Sequence, residues 1–440
     1  MTKSYTLGII TLGCRVNQYE SDSIMQELSK NGILIAPVSQ KCDFYIINTC
    51  SVTQESDRKS RQIIRRCISK NPNATVIVTG CYSQINPEKV SSIPGVSYVF
   101  GNNNKSQIAR LILELIAKDK EATLPCQIVM SDIYNGKFDT MQVGAPLTRT
   151  RAFVKIQDGC ESKCAYCIIP YARGSVRSNP PENVIREVEN IASEGCVEVV
   201  LTGIETASYG KDFKNGYSLG DLLVEVNKID GIKRIRLGSL DPSAITRELV
   251  DRIRSLDKVM PHFHISMQSG CTRILNLMRR KYNIEMARKS IGYLREAFPG
   301  CMLSADVITG FPGETNEDFM ETLKFFEEEK FLHLHIFPYS KREGTPAFSM
   351  PNQVNEQIKK DRLHMLESLE KRVKAEILDN FIKNNHSTQA LFETYDGEYA
   401  YGHTNFFMEI KVRATEDLCG KLLTVKPIST DGAVILGELI

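Results

Sequence analysis

The sequence lacks the features of several large protein classes. No apolar run reaches about 18 residues, which argues against a membrane-spanning helix. The opening residues Met1–Ser4 carry neither the basic start nor the apolar core of a secretory signal. No heptad run, internal repeat or low-complexity tract is present, which excludes a coiled-coil rod and a collagen-like repeat. We therefore expect a cytoplasmic globular protein without a membrane partner.

The cysteine content and the net charge of the chain are both low. The 13 cysteines are about 3% of the 440 residues, well below the ~8–10% of a disulfide scaffold. In a reducing compartment, clustered cysteines bind metals or do redox chemistry more often than they form disulfides. The net charge of +2 neither predicts nor excludes a nucleic-acid partner. The length, with 42% hydrophobic and 25% charged residues, predicts about three ordinary globular domains.

Strand and helix patterns alternate over the first ~100 residues. Short apolar strand patterns occur at Leu7–Leu12, Phe44–Asn48 and Ala74–Thr79. Helix patterns separate them at Asn17–Lys30 and Asp57–Lys70. This alternation predicts an open parallel α/β sheet with helices on both faces.

A second α/β unit begins near residue 152. Its strand patterns are Ala152–Ile156, Val197–Leu201, Arg234–Leu237, Phe263–Met267, Leu303–Ile308 and Leu332–Phe337. Helix patterns separate these strands along the whole unit. Six strand–helix units predict a partial or full parallel (βα) barrel, and a flat doubly wound sheet is the alternative.

The pattern changes again towards the end of the chain. Gln353–Lys383 is a long charged helix pattern, and Gln389–Ile440 has short β-like runs separated by turns, which predict a small all-β barrel or sandwich. The fold class is therefore multidomain α/β. We place an N-terminal domain at 1–135, a linker at 136–150, the barrel at 151–350, a connecting helix at 351–384 and the C-terminal domain at 385–440.

The strongest chemical signal is the run Cys160-Glu-Ser-Lys-Cys164-Ala-Tyr-Cys167, which follows the first strand of the second unit. Three thiolates in one loop can hold three irons of a [4Fe–4S] cluster. The fourth iron is then free to chelate a small ligand, and that geometry suits S-adenosylmethionine (SAM). A zinc site is the alternative, but zinc usually takes four ligands and no fourth Cys or His lies nearby.

A second set of cysteines is dispersed along the N-terminal unit. Cys14, Cys50 and Cys81 each follow the carboxyl end of one of its first three long strand patterns. In an open parallel sheet those ends face one crevice, so the three thiols are expected to converge. This predicts a second three-thiolate site. The alternative is three small buried hydrophobic residues, because free cysteine is often part of a core.

These motifs resemble the methylthiotransferases of the radical SAM superfamily. Leu12-Gly-Cys14-Arg-Val-Asn17, Asn48-Thr-Cys50 and Thr79-Gly-Cys81 resemble their N-terminal domain, and the CxxxCxxC loop resembles the cluster loop of the superfamily. Tyr401-Gly-His-Thr404 and Gly420-Lys-Leu-Leu-Thr-Val425 resemble a TRAM domain. The resemblance covers nearly all of the chain.

Within the MiaB, RimO and MtaB families, the chain is most similar to MtaB. The marks are Gly13-Cys-Arg-Val-Asn-Gln-Tyr-Glu20, Arg58-Lys-Ser-Arg-Gln-Ile-Ile-Arg-Arg66, Arg234-Ile-Arg-Leu-Gly-Ser239 and Phe337-Pro-Tyr-Ser-Lys-Arg-Glu-Gly-Thr-Pro346. The chain departs from the family at Gly238 and Asp241, where the family usually reads closer to Ser-Ser-Ile-Glu.

The resemblance implies a tRNA-modifying enzyme. It implies that N6-threonylcarbamoyladenosine (t6A) at position 37, in the tRNA anticodon stem-loop, receives a methylthio group on C2. It also implies two [4Fe–4S] clusters, one SAM for hydrogen abstraction at C2, one SAM as methyl donor and an external one-electron reductant. Isopentenyladenosine in tRNA and an aspartate of a ribosomal protein are the alternative substrates. A non-catalytic metal-containing RNA-binding protein is the alternative from a different class.

Contacts to SAM are expected at strand ends, because parallel sheets and barrels place their sites there. The candidates are Tyr166 in the cysteine loop and Thr202, Gly203, Ser239, Gln268, Asp306, Gly310 and Phe311 at or just after strand ends. The alternative for each strand-end residue is a turn without a binding role.

A basic helix pattern is the candidate RNA surface. Arg58–Lys70 contains six basic residues and no acid, which favours contact with phosphates, with a solvated helix as the alternative. The candidate contacts are Arg58, Arg61, Arg65 and Arg66. Arg173 and Arg177 follow the cysteine loop and are further candidates, since guanidinium groups bind phosphate or carboxylate. Both could equally be plain surface residues.

Four histidines lie in two alternating pairs. His262 and His264 share one face of a predicted strand, and His333 and His335 share one face of another. A metal pair is conceivable, but hydrogen-bonded polar residues in or beside a barrel are the favoured interpretation.

Overall fold

The computed structural model describes residues 4–118, 125–146 and 149–440. The N-terminal unit has strands β1 (Thr6–Thr11), β2 (Leu34–Ile35), β3 (Phe44–Thr49), β4 (Thr75–Gly80), β5 (Tyr98–Phe100) and β6 (Gln127–Val129). Its helices are α1 (Arg15–Lys30), α2 (Gln54–Lys70), α3 (Cys81–Ile85), α4 (Pro87–Ser91) and α5 (Ser106–Ala117). The strands pair in parallel in the order β2-β1-β3-β4-β5-β6, which confirms the predicted open parallel sheet.

The central unit begins at residue 151. Its strands are β7 (Arg151–Lys155), β8 (Gln157–Asp158), β9 (Arg177–Ser178), β10 (Glu198–Thr202), β11 (Arg234–Leu237), β12 (His262–Gln268), β13 (Met302–Thr309) and β14 (His333–Pro338). Its helices are α6 (Ile169–Arg173), α7 (Pro181–Ser193), α8 (Leu219–Asn227), α9 (Arg247–Ile253), α10 (Thr272–Leu277), α11 (Ile284–Ala297) and α12 (Asn316–Glu329), with short 3₁₀ turns at Thr206–Ser208, Pro242–Ala244 and Pro346–Ser349.

Six parallel strands of this unit form a partial barrel. They pair as β7-β10-β11 and β12-β13-β14, and two isolated parallel bridges, Ile235 to Val259 and Leu240 to Ile265, join the two halves. Side chains from all six strands surround one interior cavity. A flat doubly wound sheet cannot enclose such a space, so that alternative is wrong. Among the described residues β7 and β14 do not pair, and the barrel is open between them.

The C-terminal unit follows a long helix. It comprises α13 (Glu356–Asn384), β15 (Thr388–Tyr395), β16 (Tyr399–Thr404), β17 (Glu409–Arg413), β18 (Leu422–Thr430) and β19 (Ile435–Leu439). The five strands close into a barrel in the order β15-β16-β17-β19-β18. The predicted small β structure is therefore a barrel, not a sandwich. None of the described helices is long and apolar enough to cross a membrane.

Two buried arginines of β11 attach the C-terminal barrel to the central unit. Arg234 donates to the backbone oxygen atoms of Gln389 (2.8 Å) and His403 (3.1 Å). Arg236 donates to the backbone oxygen of Thr404 (2.9 Å). The Glu198 carboxylate on β10 pairs with both guanidinium groups and balances part of their buried charge.

The segment predicted as a linker, 136–150, contains no helix or strand among its described residues, and 147–148 lie outside them. The Tyr19 hydroxyl of α1 donates to the Met141 carbonyl oxygen at 2.7 Å. The Val143 N–H donates to the Glu187 carboxylate of α7 at 3.0 Å. This segment therefore contacts both the N-terminal and the central unit.

Candidate active site

Three cysteines meet at one edge of the N-terminal sheet. β1, β3 and β4 are parallel neighbours, and Cys14, Cys50 and Cys81 follow their carboxyl ends. Gly13 has a φ of 96°, and a Cβ atom there would lie 2.9 Å from the Cys50 Sγ atom. Glycine thus permits both the turn and the close approach of the Cys14 segment to Cys50. The structure brings these three predicted residues together.

Cys50 and Cys81 are buried at this edge, whereas Cys14 is exposed. Burial, followed by repulsion from Cys81, raises the pKa of Cys50 to about 11. The protein atoms around the Cys14 thiol displace part of its water and raise its pKa, although the nearby Arg173 opposes the rise. Metal ligation requires thiolates, so binding at this edge must release protons. In the part of the chain that is described, no three His, Cys or carboxylate side chains are arranged to ligate one metal ion. A [4Fe–4S] cluster binds each thiolate through a different iron and fits a wider spacing.

A buried ion network lies beneath this edge. The Glu20 carboxylate of α1 accepts hydrogen bonds from Arg173 (2.7 Å), Lys155 (2.8 Å) and Lys105. The Asp158 carboxylate pairs with Lys155 (2.6 Å) and Arg173 (3.2 Å). Each of these five residues is at most 2% exposed. Glu20 and Lys105 belong to the N-terminal unit and the other three to the central unit, so the network joins the two.

The network has an excess of positive charge. It holds three cations and two carboxylates, and the Arg173 guanidinium lies close enough to Cys14 and Cys81 to interact with both thiols. An uncompensated buried cation favours an anion beside it. The thiolates of a bound cluster would supply that negative charge, so the donor set and its surroundings fit a thiolate-ligated iron–sulfur group.

The prediction that Arg173 and Arg177 contact tRNA is wrong. Arg173 has no exposed surface, and Arg177 is 4% exposed. Arg177 donates to the backbone oxygen atoms of Ser175 (3.1 Å), Arg173 (2.9 Å) and Ile133. The chain turns inward after the cysteine loop, because both guanidinium groups compensate buried carboxylate and carbonyl oxygen atoms.

The cysteine loop runs from β8 to α6. Gly159 has a φ of 76°, and a Cβ atom there would lie 1.8 Å from a backbone oxygen, so only glycine fits. The Cys160 N–H bonds to the Gly174 carbonyl oxygen (3.0 Å), and the Cys167 N–H bonds to that of Cys164 (3.1 Å). The three thiols line one cavity of about 180 Å³, which we call the cofactor cavity. The predicted donor set is therefore gathered at one site.

Three of the predicted SAM contacts share the cofactor cavity with these thiols. Tyr166 lines it from the loop itself, and Ser239 and Gln268 line it from the ends of β11 and β12. Gln268 has a φ of 63°, which is unusual for a residue other than glycine. Such backbone conformations cluster at binding and catalytic sites.

Arg280 and Glu205 also line the cofactor cavity, and sequence reasoning missed both. Nη1 of Arg280 lies 3.1 Å from the Cys164 Sγ atom and 3.4 Å from the Tyr166 hydroxyl. The Asp241 carboxylate holds the other end of this guanidinium. The Glu205 carboxylate lies 3.7 Å from the Cys160 Sγ atom. The cavity thus has a cation on one side and a carboxylate on the other, which is complementary to an amino acid moiety.

No local signal marks Arg280, which lies 116 residues from Cys164 in the chain. Its neighbour Asp241 is one of the two positions where the chain departs from the family pattern. Aspartate there keeps the carboxylate that the arginine needs. Only the folded barrel shows that the two side chains meet.

The remaining predicted SAM contacts lie outside the lining of the cofactor cavity. Thr202 is 3% exposed, and Gly203 packs against the side chain of Gln157. Asp306 pairs with the His264 ring, with 3.2 Å between Oδ2 and Nε2. A contact between these residues and the cofactor stays a prediction.

Gly310 and Phe311 have structural partners near the same cavity. The Gly310 N–H donates to the Glu314 carboxylate at 2.7 Å. Phe311 has no exposed surface, and its ring packs edge-on against that of Tyr166 at a centroid distance of 6.4 Å. Phe311 therefore supports Tyr166 from behind.

The basic residues of α2 point mainly to solvent. Arg58, Arg65 and Arg66 are exposed, and neither Arg65 nor Arg66 forms an ion pair within the described ranges. Arg61 donates to the Tyr82 hydroxyl at 3.1 Å, and Tyr82 directly follows Cys81 in the chain. The basic face therefore extends from the edge of the thiol site outward, and its contact with tRNA stays a prediction.

Comparison with known proteins assigns the chain to a family. Residues 154–326 match the family described as Radical SAM superfamily, and residues 6–101 match the Uncharacterized protein family UPF0004. The Threonylcarbamoyladenosine tRNA methylthiotransferase MtaB of Bacillus subtilis (strain 168) is 41% identical over 425 residues, 96% of this chain and 93% of that protein. The chain belongs to the MiaB/MtaB type of radical SAM methylthiotransferases. As a member of this family, the protein is a transferase that uses SAM and [4Fe–4S] clusters.

Other matches agree with this assignment. The tRNA-2-methylthio-N(6)-dimethylallyladenosine synthase of Alkaliphilus oremlandii (strain OhILAs) is 32% identical over 445 residues, 98% of this chain and 92% of that protein. The solved structure of the radical S-adenosylmethionine methyltransferase TsrM from Kitasatospora setae aligns with a TM-score of 0.58 at 14% identity, over 79% of the methylthiotransferase and 77% of that chain. This last likeness supports the fold alone.

Proposed function

We propose that this methylthiotransferase converts t6A at position 37 of tRNA to 2-methylthio-N6-threonylcarbamoyladenosine. The observation that carries the proposal is the pair of three-thiol sites, one on the N-terminal sheet and one in the barrel, joined by the buried ion network. The substrate follows from the relatives named for threonylcarbamoyladenosine, of which one is 41% identical over nearly the whole chain. The cytoplasm is the compartment we propose, because tRNA is the proposed substrate.

Cys160, Cys164 and Cys167 are the proposed ligands of the SAM-binding [4Fe–4S] cluster. When bound and reduced by an external one-electron donor, that cluster would supply, with SAM, the radical that removes the C2 hydrogen, and the second cluster would hold the sulfur to be transferred. Arg280 then binds the methionine carboxylate of SAM and Glu205 its amino group, because these are the opposite charges that the cofactor cavity presents.

Cys14, Cys50 and Cys81 are the proposed ligands of the second cluster. Its neighbour Arg173 balances the negative charge of the thiolates from within the protein, so that no solvent ion is needed there. A second SAM donates the methyl group. The boundaries 1–135, 136–150, 151–350, 351–384 and 385–440 are part of this proposal, with one cluster assigned to 1–135 and the other to 151–350.

The basic face of α2 is the proposed contact for the anticodon stem-loop. Arg58, Arg65 and Arg66 present unburied guanidinium groups near the thiol edge, and phosphate contacts of this kind position RNA without reading its sequence. The C-terminal barrel carries eight acidic and four basic residues, a net charge of −4. Its contribution to RNA binding is therefore expected to come from shape and stacking.

Mass analysis of nucleosides tests the proposal. The anaerobically reconstituted protein is incubated with reductant, SAM and tRNA that bears t6A, and the tRNA is then digested. We expect t6A to gain one methylthio group, with formation of 5′-deoxyadenosine and S-adenosylhomocysteine. If isopentenyladenosine gains the methylthio group instead, the enzyme class stands and the proposed substrate is wrong. Release of 5′-deoxyadenosine without any modified nucleoside would point to the ribosomal protein, and no release at all would support the non-catalytic alternative.

A further inference from the structure

A second cavity, of about 360 Å³, lies inside the barrel and is not used by any role assigned above. We call it the interior cavity. On β12 the side chains of His262 and His264 line it, whereas Ser266 and Gln268 of the same strand line the cofactor cavity. Because alternate residues of a strand share a face and each adds about 3.3 Å, the two cavities are stacked about 7 Å apart along the strand. A group attached to a molecule in one cavity can therefore reach into the other.

The floor of the interior cavity comes from the C-terminal barrel. The Phe407 ring stacks on the rings of His262 and His403 at centroid distances of 4.7 and 4.5 Å. The guanidinium groups of Arg151 and Arg236 lie over the same ring at 5.1 and 4.9 Å. Carboxylates already pair with both of these arginines, Glu393 with Arg151 and Glu198 with Arg236. The floor is therefore closed and its cations are compensated.

Arg15 is different, because no carboxylate of the described residues forms an ion pair with it, and its guanidinium lies over the Phe153 ring at 5.9 Å. It is the first residue of α1, directly after Cys14, and it lines the interior cavity with its side chain accessible. Within the residues that the structure describes, its guanidinium makes no hydrogen bond and no ion pair. The guanidinium groups of Arg151 and Arg236 line the same cavity, so Arg15 faces two further positive charges there. Such a crowded cation is stabilised by an anion.

The other groups that face this cation do not neutralise it. Burial, followed by the charge of Arg236, holds the pKa of His262 well below its usual value, and burial lowers that of His335 to about 4, so both rings are neutral at pH 7. Lys374 adds a further cation to the lining. Besides Glu393 and Glu198, three acids are near: Asp306 is engaged by His264, Glu370 is engaged by His333, and Glu409 lines the C-terminal side of the cavity. The His262 ring already bonds to the Ser304 hydroxyl at 3.1 Å, and within the described residues the His335 ring is left to exchange a hydrogen bond with a polar ligand.

We propose that the interior cavity binds the carboxylate-bearing side chain on N6 of the substrate adenosine, with Arg15 as the residue that binds the carboxylate. The inference rests on the proposed function and names the group by which the substrate is selected. Guanidinium is the side chain best suited to a planar carboxylate. Arg15, Lys374 and His335 line this cavity beside apolar side chains, and an isopentenyl group would leave those polar groups without a hydrogen-bond partner among the described residues. Since Arg15 follows Cys14, the carboxylate is bound one residue from a proposed ligand of the second cluster.

Binding of two stem-loop RNAs to the holoenzyme provides the test. One RNA carries t6A, and the other carries the same side chain with the carboxylate converted to a primary amide, which is neutral and nearly isosteric. We expect the wild-type Kd, measured by fluorescence anisotropy, to be about 10- to 100-fold lower for the carboxylate RNA, the range of a charged hydrogen bond. The Arg15→Gln variant is expected to bind both RNAs as the wild type binds the amide.

Two controls separate this role from others. Arg110→Gln removes an exposed arginine from α5 and is expected to leave both Kd values unchanged. Iron content per chain shows whether the second cluster is still loaded next to position 15. If the Arg15→Gln variant does not bind the second cluster, two measurements still test the role of Arg15. They are the Kd values of the Arg15→Lys variant and the wild-type comparison of the two RNAs.

Three outcomes would overturn the inference: equal wild-type affinity for the two RNAs, no effect of Arg15→Gln, or an equal loss for both RNAs, which would identify a backbone phosphate as the ligand. Failure of the proposed function looks different. In that case the wild type would not methylthiolate t6A at all, whereas the two Kd values would still report on Arg15.

Discussion

Replacement of Glu20 by glutamine tests the buried ion network directly. The substitution keeps the shape of the side chain and removes the one carboxylate that bonds to Arg173, Lys155 and Lys105 together. Three buried cations would then face Asp158 alone. Loss of one partner from a buried pair typically destabilises a protein by about 3–5 kcal/mol. With an m-value of about 2–3 kcal/mol/M, the urea midpoint of the affected transition is expected to fall by about 1–2 M.

Circular dichroism in urea is the suitable measurement, because the chain contains no tryptophan. Glu114→Gln is the matched control: this carboxylate is 45% exposed and pairs on the surface of α5 with Arg110 and Lys118. Its loss is expected to change stability by less than about 0.5 kcal/mol. The reasoning about the network is refuted if the Glu20 and Glu114 variants unfold at the same urea concentration.

Acidification gives an independent check on the same group. Burial alone would raise the pKa of Glu20, but Arg173, Lys105 and Lys155 outweigh it and hold this pKa well below its usual value. A carboxyl whose pKa is lowered on folding stabilises the protein above its unfolded pKa of about 4.3 and ceases to do so as the pH falls through the folded pKa. The difference in the free energy of unfolding between wild type and Glu20→Gln is therefore expected to have its full value at pH 7 and to become smaller below about pH 4.

Three further outcomes are expected. Cys164→Ala abolishes cleavage of SAM to 5′-deoxyadenosine, whereas Cys50→Ala retains cleavage and loses methylthio transfer; transfer by the Cys50 variant would contradict the role of the second thiol site. Arg280→Gln raises the KM for SAM about tenfold or more, because a charged hydrogen bond is lost, and an unchanged KM would remove Arg280 from the cofactor contacts. The double substitution of Arg65 and Arg66 by glutamine weakens tRNA binding and lowers the slope of log K against log salt by about 1–2, and an unaltered slope would place the RNA elsewhere.

Features set by local pattern could be predicted from the sequence. Cys14, Cys50 and Cys81 were found by one rule, that parallel strands share a carboxyl edge, and the structure places all three at that edge. The helix patterns Asn17–Lys30 and Asp57–Lys70 end at the residues where α1 and α2 end, and the strand Arg234–Leu237 was predicted with its observed bounds. Here the hydrophobic period and the capping residues act over a few residues, within reach of sequence analysis.

Features set by long-range charge compensation were not predictable. Arg173 looked like a surface cation in the sequence, because its partner Glu20 lies 153 residues away. Arg280 gave no signal for the same reason. A buried arginine and an exposed one have the same local pattern, and only the folded chain shows which carboxylate each one meets.

The attachment of the C-terminal barrel by Arg234 and Arg236 has a consequence for divergence within the family. Both arginines donate to main-chain oxygen atoms of Gln389, His403 and Thr404, and none of those bonds involves a side chain of the barrel. The residues that present these oxygen atoms can therefore be substituted without loss of the attachment, because only their backbone atoms take part. The outer surface of the C-terminal barrel can in this way change in sequence without the barrel being detached from the enzyme that carries it.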